Sequence, residues 1–355
     1  MIYLDYAATS PLDPRVFEVM QRYFAEHFGN PSSIHRYGQV CRKAIDEARN
    51  SCIESLGAFS AHEIIFTGSG TESNNMAVFG AAFARREQGK HIVVSAMEHP
   101  AVMEPARYLR DNFDFKLTEV QPNVDGLIDP KSIADAMRPD TILVSVMMVN
   151  NEVGSIQHII EIAKIVREHG ALFHTDACQA PGYTDITVDH IRPDLMSLNG
   201  GKIYGPKGVG LLYVREGVKI TPWLMGGGQE FRMRAGTENV ANIVGFAKAL
   251  ELILMNSKKQ AEAVGALRDE LLEALLKLDG IRLNGTRAQR APNNINIHTP
   301  GISGESLVMR LDMEGLAASS GLAAGAGGAL LTGASRRGAS ESPAPEDSLD
   351  SSPAS

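Results

Sequence analysis

The sequence predicts an α/β protein built on a mostly parallel sheet. Two observations carry that expectation: short β-rich runs alternate with helical patterns along most of the chain, and glycine-bearing polar turns follow the β runs, where an open α/β sheet gathers its ligands. With 355 residues, 44% of them hydrophobic, the chain can bury a large core and should form one big domain plus a smaller one.

In chain order, EIIF is the first strong β run and leads into a helix from about Glu72. HIVVSA precedes a helix after Pro100, TILVSVMM precedes the helical IIEIAKIVREHG, and ALFHT follows it. Gly170 stands where a helix stop is expected, directly after Glu168 and His169. From Gly236 to about Leu278 two helical patterns follow one another, AGTENVANIVGFAKALELIL and QAEAVGALRDELLEALLKL, before a shorter α+β stretch with NNINIHT and ESLVMRL. A domain boundary is expected near residue 255.

A net charge of -8 offers no broad basic surface, which argues against a nucleic-acid partner and for small-molecule chemistry. The start, MIYLDYAATSPLDP, lacks the order of a secretory signal, and no window approaches the roughly 18 apolar residues of a membrane span. A cytoplasmic protein with no membrane partner is expected. Cys41, Cys52 and Cys178 are too few for a disulfide framework and lack metal-ligand spacing, so no metal site is expected. Cys41 and Cys52 share a helical apolar face with Ile45, Ala48 and Leu56 and read as core residues.

Three strand ends carry chemistry. In FTGSGTESNN a strand ends in Gly68, Ser69, Gly70 and Thr71 before a helix, offering backbone N–H groups and a positive dipole end to a phosphate. ALFHTDACQA places Asp176 and Gln179 directly after an apolar strand. DLMSLNGGKIYGPKGVGLLYV sets Lys202 after two glycines and before a Gly-Pro turn. Taken singly these are a glycine turn, a helix N-cap and a surface lysine. Taken together they are the parts that hold pyridoxal phosphate (PLP): a phosphate cradle, an acid for the pyridine nitrogen and an amine for the aldehyde.

Eight stretches then occur in a telling order: YLDYAATSPLDP, GNPSSIHRYG, FTGSGTESNN, MEHPAV, VNNEVG, HTDACQA, GGKIYGPKGVG and GGGQEFRMRAGTEN. Over roughly residues 1–320 the chain resembles the cysteine desulfurases of the NifS/IscS group, within the class V aminotransferases. That resemblance implies a PLP-dependent type I fold, with a large doubly wound domain over 15–255 and a small domain made of 1–14 and 256–321. It implies conversion of L-cysteine to L-alanine, with sulfur passed to an acceptor or scaffold protein for iron-sulfur cluster or thiolated-nucleotide synthesis. By position, Lys202 would carry the cofactor as a Schiff base and move the Cα proton, and His99 would stack on the ring. Asp176 would pair with the pyridinium nitrogen, Gln179 would donate to the ring hydroxyl, and Asn151 would hold that oxygen or the substrate. Gly70, Thr71 and Asn199 would bind phosphate. Thr237 would reach the phosphate of a second copy, which makes the expected unit a homodimer, while Arg234 would be structural.

The chain also departs from the family. Asn199 and Gly201 stand where a serine and a histidine are usual, and Tyr6 stands where asparagine is common. The largest departure is MEGLAASSGLAAGAGGALLTGASRRGASES. The family's ASSGSAC loop carries the nucleophilic cysteine; here the register reads Ser319, Ser320, Gly321, Leu322, Ala323, Ala324, so that position is Ala324, and no cysteine follows Cys178. The later arginine for the substrate carboxylate also has no counterpart, and Arg336 and Arg337 are not assigned to it. Residues 322–355 are expected to be a low-complexity tail without regular structure. Two readings stay open: a desulfurase with a shifted or replaced C-terminus and impaired sulfur transfer, or a PLP-binding paralogue with another α-carbon reaction or a non-catalytic role.

Overall fold

A computed structural model describes residues 1–255 and 257–320 and the backbone of 328–332. The first half of the chain contains β1 (Ile2–Tyr3), α1 (Pro14–Ala25), α2 (Arg36–Leu56), β2 (Ile64–Thr67), α3 (Gly70–Arg85), β3 (His91–Ser95), α4 (Pro100–Phe113), β4 (Lys116–Val120), α5 (Pro130–Ala136) and β5 (Thr141–Ser145). There follow α6 (Ile159–His169), β6 (Leu172–Asp176), α7 (Val188–Ile191), β7 (Leu195–Asn199), β8 (Gly210–Val214), α8 (Val240–Met255), α9 (Ser257–Leu275), β9 (Arg282–Leu283), β10 (Asn294–His298), α10 (Gly304–Met313), β11 (Leu316–Ala317) and β12 (Gly328–Thr332).

The expected β runs assemble into one seven-stranded sheet of order β2-β8-β7-β6-β5-β3-β4. It is parallel from β4 across to β7, and only β8 runs against its neighbours. Successive residues of each strand serve opposite faces: Ile64, Phe66, Val144, Phe173 and Met196 join one core with α1, α2, α6 and α8, whereas Ile65, Leu143, Leu172 and Leu195 join another with α3 and α4. A sheet buried on both faces explains why its strands are nearly continuous apolar runs. Cys41 and Cys52 lie fully buried in the first of these cores.

Local signals set the helix ends. Pro14, Pro100 and Pro130 each open a helix directly after a side-chain cap, from Asp13, His99 and Asp129 respectively. A proline there lacks only an N–H that the first turn would leave unbonded. Gly170 ends α6 at φ 88°, the left-handed conformation that glycine adopts without strain.

β1 pairs in parallel with β11, bringing the N-terminus beside the C-terminal part of the chain. β9, β10 and β12 form a separate antiparallel sheet. The expectation of an unstructured tail from 322 onward is corrected here: residues 328–332, carrying the short apolar run Ala329-Leu330-Leu331, pair along all of β10. β9 covers only Ile297 and His298 on the other side of β10, so the pairing with β12 supplies partners for main-chain groups along the whole strand. Residues 321–327 and 333–355, including Leu322, Ala323, Ala324, Arg336 and Arg337, lie outside the described residues. Among the described residues, no single helix is long and apolar enough to cross a membrane.

One buried ion pair fixes the segment leading to Thr237. Arg49 on α2 and Glu230, 3% and 5% exposed, meet through two bonds of 2.9 and 2.6 Å. Glu230 also accepts from Phe66 N, and the guanidinium lies over the rings of Phe66 and Phe231. Glu230, Phe231 and Arg232 all have positive φ, at 44°, 57° and 67°. Such residues cost about 1–3 kcal/mol each and persist only where their surroundings hold them. Arg49→Met, which strands the Glu230 carboxylate, should therefore lower stability by about 3–5 kcal/mol in urea unfolding. The double variant Arg49→Met/Glu230→Gln should recover part of that loss.

Candidate active site

The carboxyl ends of β2, β3, β5, β6 and β7 open onto one cavity of about 440 Å³, within the size range of small-molecule pockets. β2 leads to the start of α3, where Ser69 caps the helix by accepting from Glu72 N at 3.1 Å and Gly70 and Thr71 line the cavity. A Cβ on Gly70 would stand 2.8 Å from Cys178 Sγ and 3.0 Å from Asn199 Cβ, so glycine is needed at that place. β3 leads to His99, whose Nδ1 accepts from Ala101 N at 3.0 Å as the cap of α4. In a neutral ring this puts the proton on Nε2. β5 leads to Asn151, set in a turn that Asn150 holds by accepting from Glu152 N and Val153 N.

β6 ends in Asp176, 5% exposed. Its Oδ2 accepts from Asn74 Nδ2 at 2.6 Å and its Oδ1 from Cys178 N at 2.9 Å, so a buried carboxylate is held by neutral donors. Three residues on, Gln179 donates to the carbonyl of Ala7 at 2.8 Å. β7 ends in Asn199, whose Oδ1 accepts from Gly201 N at 3.2 Å and leaves Nδ2 as the group for an anion. Lys202 closes the following single 3₁₀ turn, Gly200–Lys202, and donates to the carbonyls of Ala7 and Ala8, each at 2.6 Å. Burial pulls its ammonium below the usual lysine range, against Asp176 and Asp5, which favour the charge.

The N-terminal segment completes the wall. Ser10 N and Oγ both donate to Gly201 O, Tyr204 N donates to Ser10 Oγ, and Ser319 Oγ donates to Asp5 Oδ1 at 2.7 Å. Ser319 and Ser320 line the cavity as well. Tyr6 packs against Tyr3 and Tyr204, with ring centroids 5.1 and 6.0 Å away. At Gly201 a Cβ would meet nothing closer than 3.5 Å, so the missing imidazole is not excluded by space.

Gly70, Thr71, His99, Asn151, Asp176, Gln179, Asn199 and Lys202 thus meet in one place. Thr237 does not: it is exposed and lies outside this cavity. The loop bearing it is tied to the start of α3 by Arg234, which bonds Glu72 at 2.7 Å, while Glu72 accepts from Gly68 N. The neighbouring Glu238 is bonded by Arg42 at 2.6 Å. Sequence reasoning missed Asn74 and Glu152, both on the cavity wall. Asn74 had a signal, because it follows Gly70 by four residues and so shares its helix face. Among the described residues, no arginine lines the cavity and no cluster of His, Cys, Asp and Glu could hold a metal ion.

The donor set fits PLP. A helix start with glycine at the point of closest approach suits a phosphate. A buried carboxylate whose hydrogen-bond donors are neutral suits a protonated ring nitrogen, and a lysine with a lowered pKa suits an aldehyde.

The chain is similar to known proteins over most of its length. Residues 2–331 match the family Aminotransferase class-V, a match that runs past Gly321. A cysteine desulfurase IscS of Dictyoglomus turgidum is 48% identical over 323 residues, 91% of this chain and 82% of that protein. Among solved structures, a NifS-like protein superposes with a TM-score of 0.90 at 32% identity, covering 94% of this chain and 93% of that one. A structure described as SspA in complex with cysteine gives a TM-score of 0.80 at 35% identity, covering 91% and 90%. The chain belongs to the class-V aminotransferase family of PLP-dependent enzymes, in the company of the cysteine desulfurases.

Proposed function

We propose that this chain binds PLP on Lys202 and acts on L-cysteine as a cysteine desulfurase-type enzyme. The observation that carries the reading is the meeting of Asp176, Lys202 and the Gly70–Thr71 helix start around one cavity. The desulfurase name of a close relative and the cysteine in a related structure support the substrate. Bound PLP supplies an electron sink for bond breaking at the substrate Cα. Asp176, fixed by Asn74 and Cys178 N, holds the proton on the ring nitrogen. Lys202 Nζ, kept toward its neutral amine by burial, takes and returns the Cα proton. His99, on the cavity wall, would stack on the ring, and Asn151 and Gln179 would orient oxygen atoms of cofactor or substrate.

Sulfur abstraction needs a thiolate placed against the substrate Sγ. Cys178 lines the cavity, but burial, aided by the charge of Asp176, pushes its thiol well above the usual range, and the strand end holds it in place. Cys41 and Cys52 are locked in the core, with burial raising both thiols. With Ala324 at the family's nucleophile position, we propose that cysteine binds and that sulfur transfer to an acceptor is impaired. The same reading proposes a cytoplasmic homodimer, with Thr237 of one copy serving the other, and a sulfur-acceptor or scaffold partner in iron-sulfur cluster synthesis.

Three measurements check this reading. Borohydride reduction of the PLP-loaded protein should fix the label on the Lys202 peptide, and Lys202→Ala should abolish it; a label centred on Lys207 would overturn the assignment. Sedimentation of the PLP-loaded protein should give a dimer, and Thr237→Ala should weaken PLP retention; a fully loaded monomer rules out the composite site. Sulfide release from L-cysteine should be lower than in an ordinary desulfurase by on the order of 10⁴, as for other deleted nucleophiles. Release at an ordinary rate, unchanged in Cys178→Ser, would show that the missing thiolate is not needed.

A further inference from the structure

Glu98 is a buried acid that the chemistry above does not use. Between the end of β3 and the start of α4, it is 8% exposed. Its Oε1 accepts twice, from Ser95 Oγ and from Met147 N, both at 2.6 Å. Its Oε2 is buried and has no hydrogen-bond partner. One carboxyl therefore joins the end of β3 to the segment after β5, one residue before His99, and Met147 itself lines the cavity.

The titratable groups on the neighbouring elements give this carboxyl no counter-charge. Asp176 of β6 acts on it with the same sign. His99 turns Nδ1 to Ala101 N, and Lys202 is bonded to the Ala7 and Ala8 carbonyls. His174 of β6 sits between Ser145 and Ser197, where burial lowers it to about 4 and keeps it neutral. A lone buried carboxylate with one bare oxygen is costly, whereas a neutral acid is far less so. Burial accordingly pushes Glu98 up to about 8.

We propose that Glu98 is a positioning residue that works as a neutral carboxylic acid. Protonated, it ties the ends of β3 and β5 so that His99 and Met147 keep their places on the cavity wall, and it spares Asp176 a second anion beside it. This rests on the PLP reading of the site only where the cofactor is the reporter.

The linkage has a definite sign. The folded form holds its proton up to about 8, while the unfolded chain loses it near the ordinary value of 4.5. Between those values the folded state binds more protons, so this group's contribution to stability falls as pH rises and levels off above its folded pKa.

Urea unfolding of the full chain without cofactor, from pH 6 to 9, compares wild type with E98Q. Over pH 6 to 7 the wild-type unfolding constant should climb about tenfold more per pH unit than that of E98Q, the excess should shrink through pH 8, and the two should run parallel above about pH 9. Parallel curves throughout overturn the proposal. If E98Q does not fold, infrared difference spectra of wild type between pH 6 and 9 decide instead. Loss of a protonated-carboxyl band on raising the pH supports the proposal, and no such band at pH 6 overturns it. In the PLP-loaded protein, the visible band should titrate with a component near pH 8 that E98Q lacks, and a component that persists in E98Q counts against the positioning role. Failure of wild type to bind PLP would sink the cofactor reading and leave the unfolding comparison standing.

Discussion

Covering a parallel sheet on both faces leaves polar chemistry little room except at the strand ends. Within β5, β6 and β7 the side chains are packed against helices on either side, and a charge placed mid-strand would need a partner there. His174 shows what the interior tolerates: a ring held neutral between two serine hydroxyls. One residue pair further along β6 the layers part, and Asp176 can stay beside the cavity with only two neutral donors. Because the parallel strands all present the same end to that space, the α3 start, His99, Asn151, Asp176 and Lys202 meet there although they are far apart in the chain.

Charge placement inside this frame follows one pattern. Where two opposite charges meet out of water, as in Arg49 and Glu230, the pair holds a backbone stretch that would not keep its shape alone. Where a single charge lies near the cavity, as with Asp176 and Lys202, its partners are amides and carbonyls. That leaves electrostatic demand for a ligand with a cationic ring nitrogen and a carbonyl carbon. Arg234 and Glu72 then tie the start of α3, at the edge of the cavity, to the loop that bears Thr237.

Much of this was legible in the sequence. The β runs, the helix start after Pro100 and the Gly170 stop depend on residues close together in the chain, and each formed where expected. So did the gathering of Lys202, Asp176 and the glycine turn, because strand-end position follows from element order. The tail was the exception. A composition poor in large apolar residues argued against structure, yet the open edge of β10 pairs with residues 328–332, and an edge strand's demand for main-chain partners is invisible in composition.

What the sequence by itself determined was therefore the order of elements, the residue types at the strand ends and the absence of a cysteine at position 324. Only the tertiary structure decided the state of those residues. Lys202 is bonded by carbonyls of Ala7 and Ala8, nearly two hundred positions away, and Glu98, which in the sequence looks like any solvated acid, lies sealed between two strand ends. Periodicity and capping act between near neighbours, whereas burial is set by segments distant in the chain. The ease with which a buried group gains or loses a proton follows that burial.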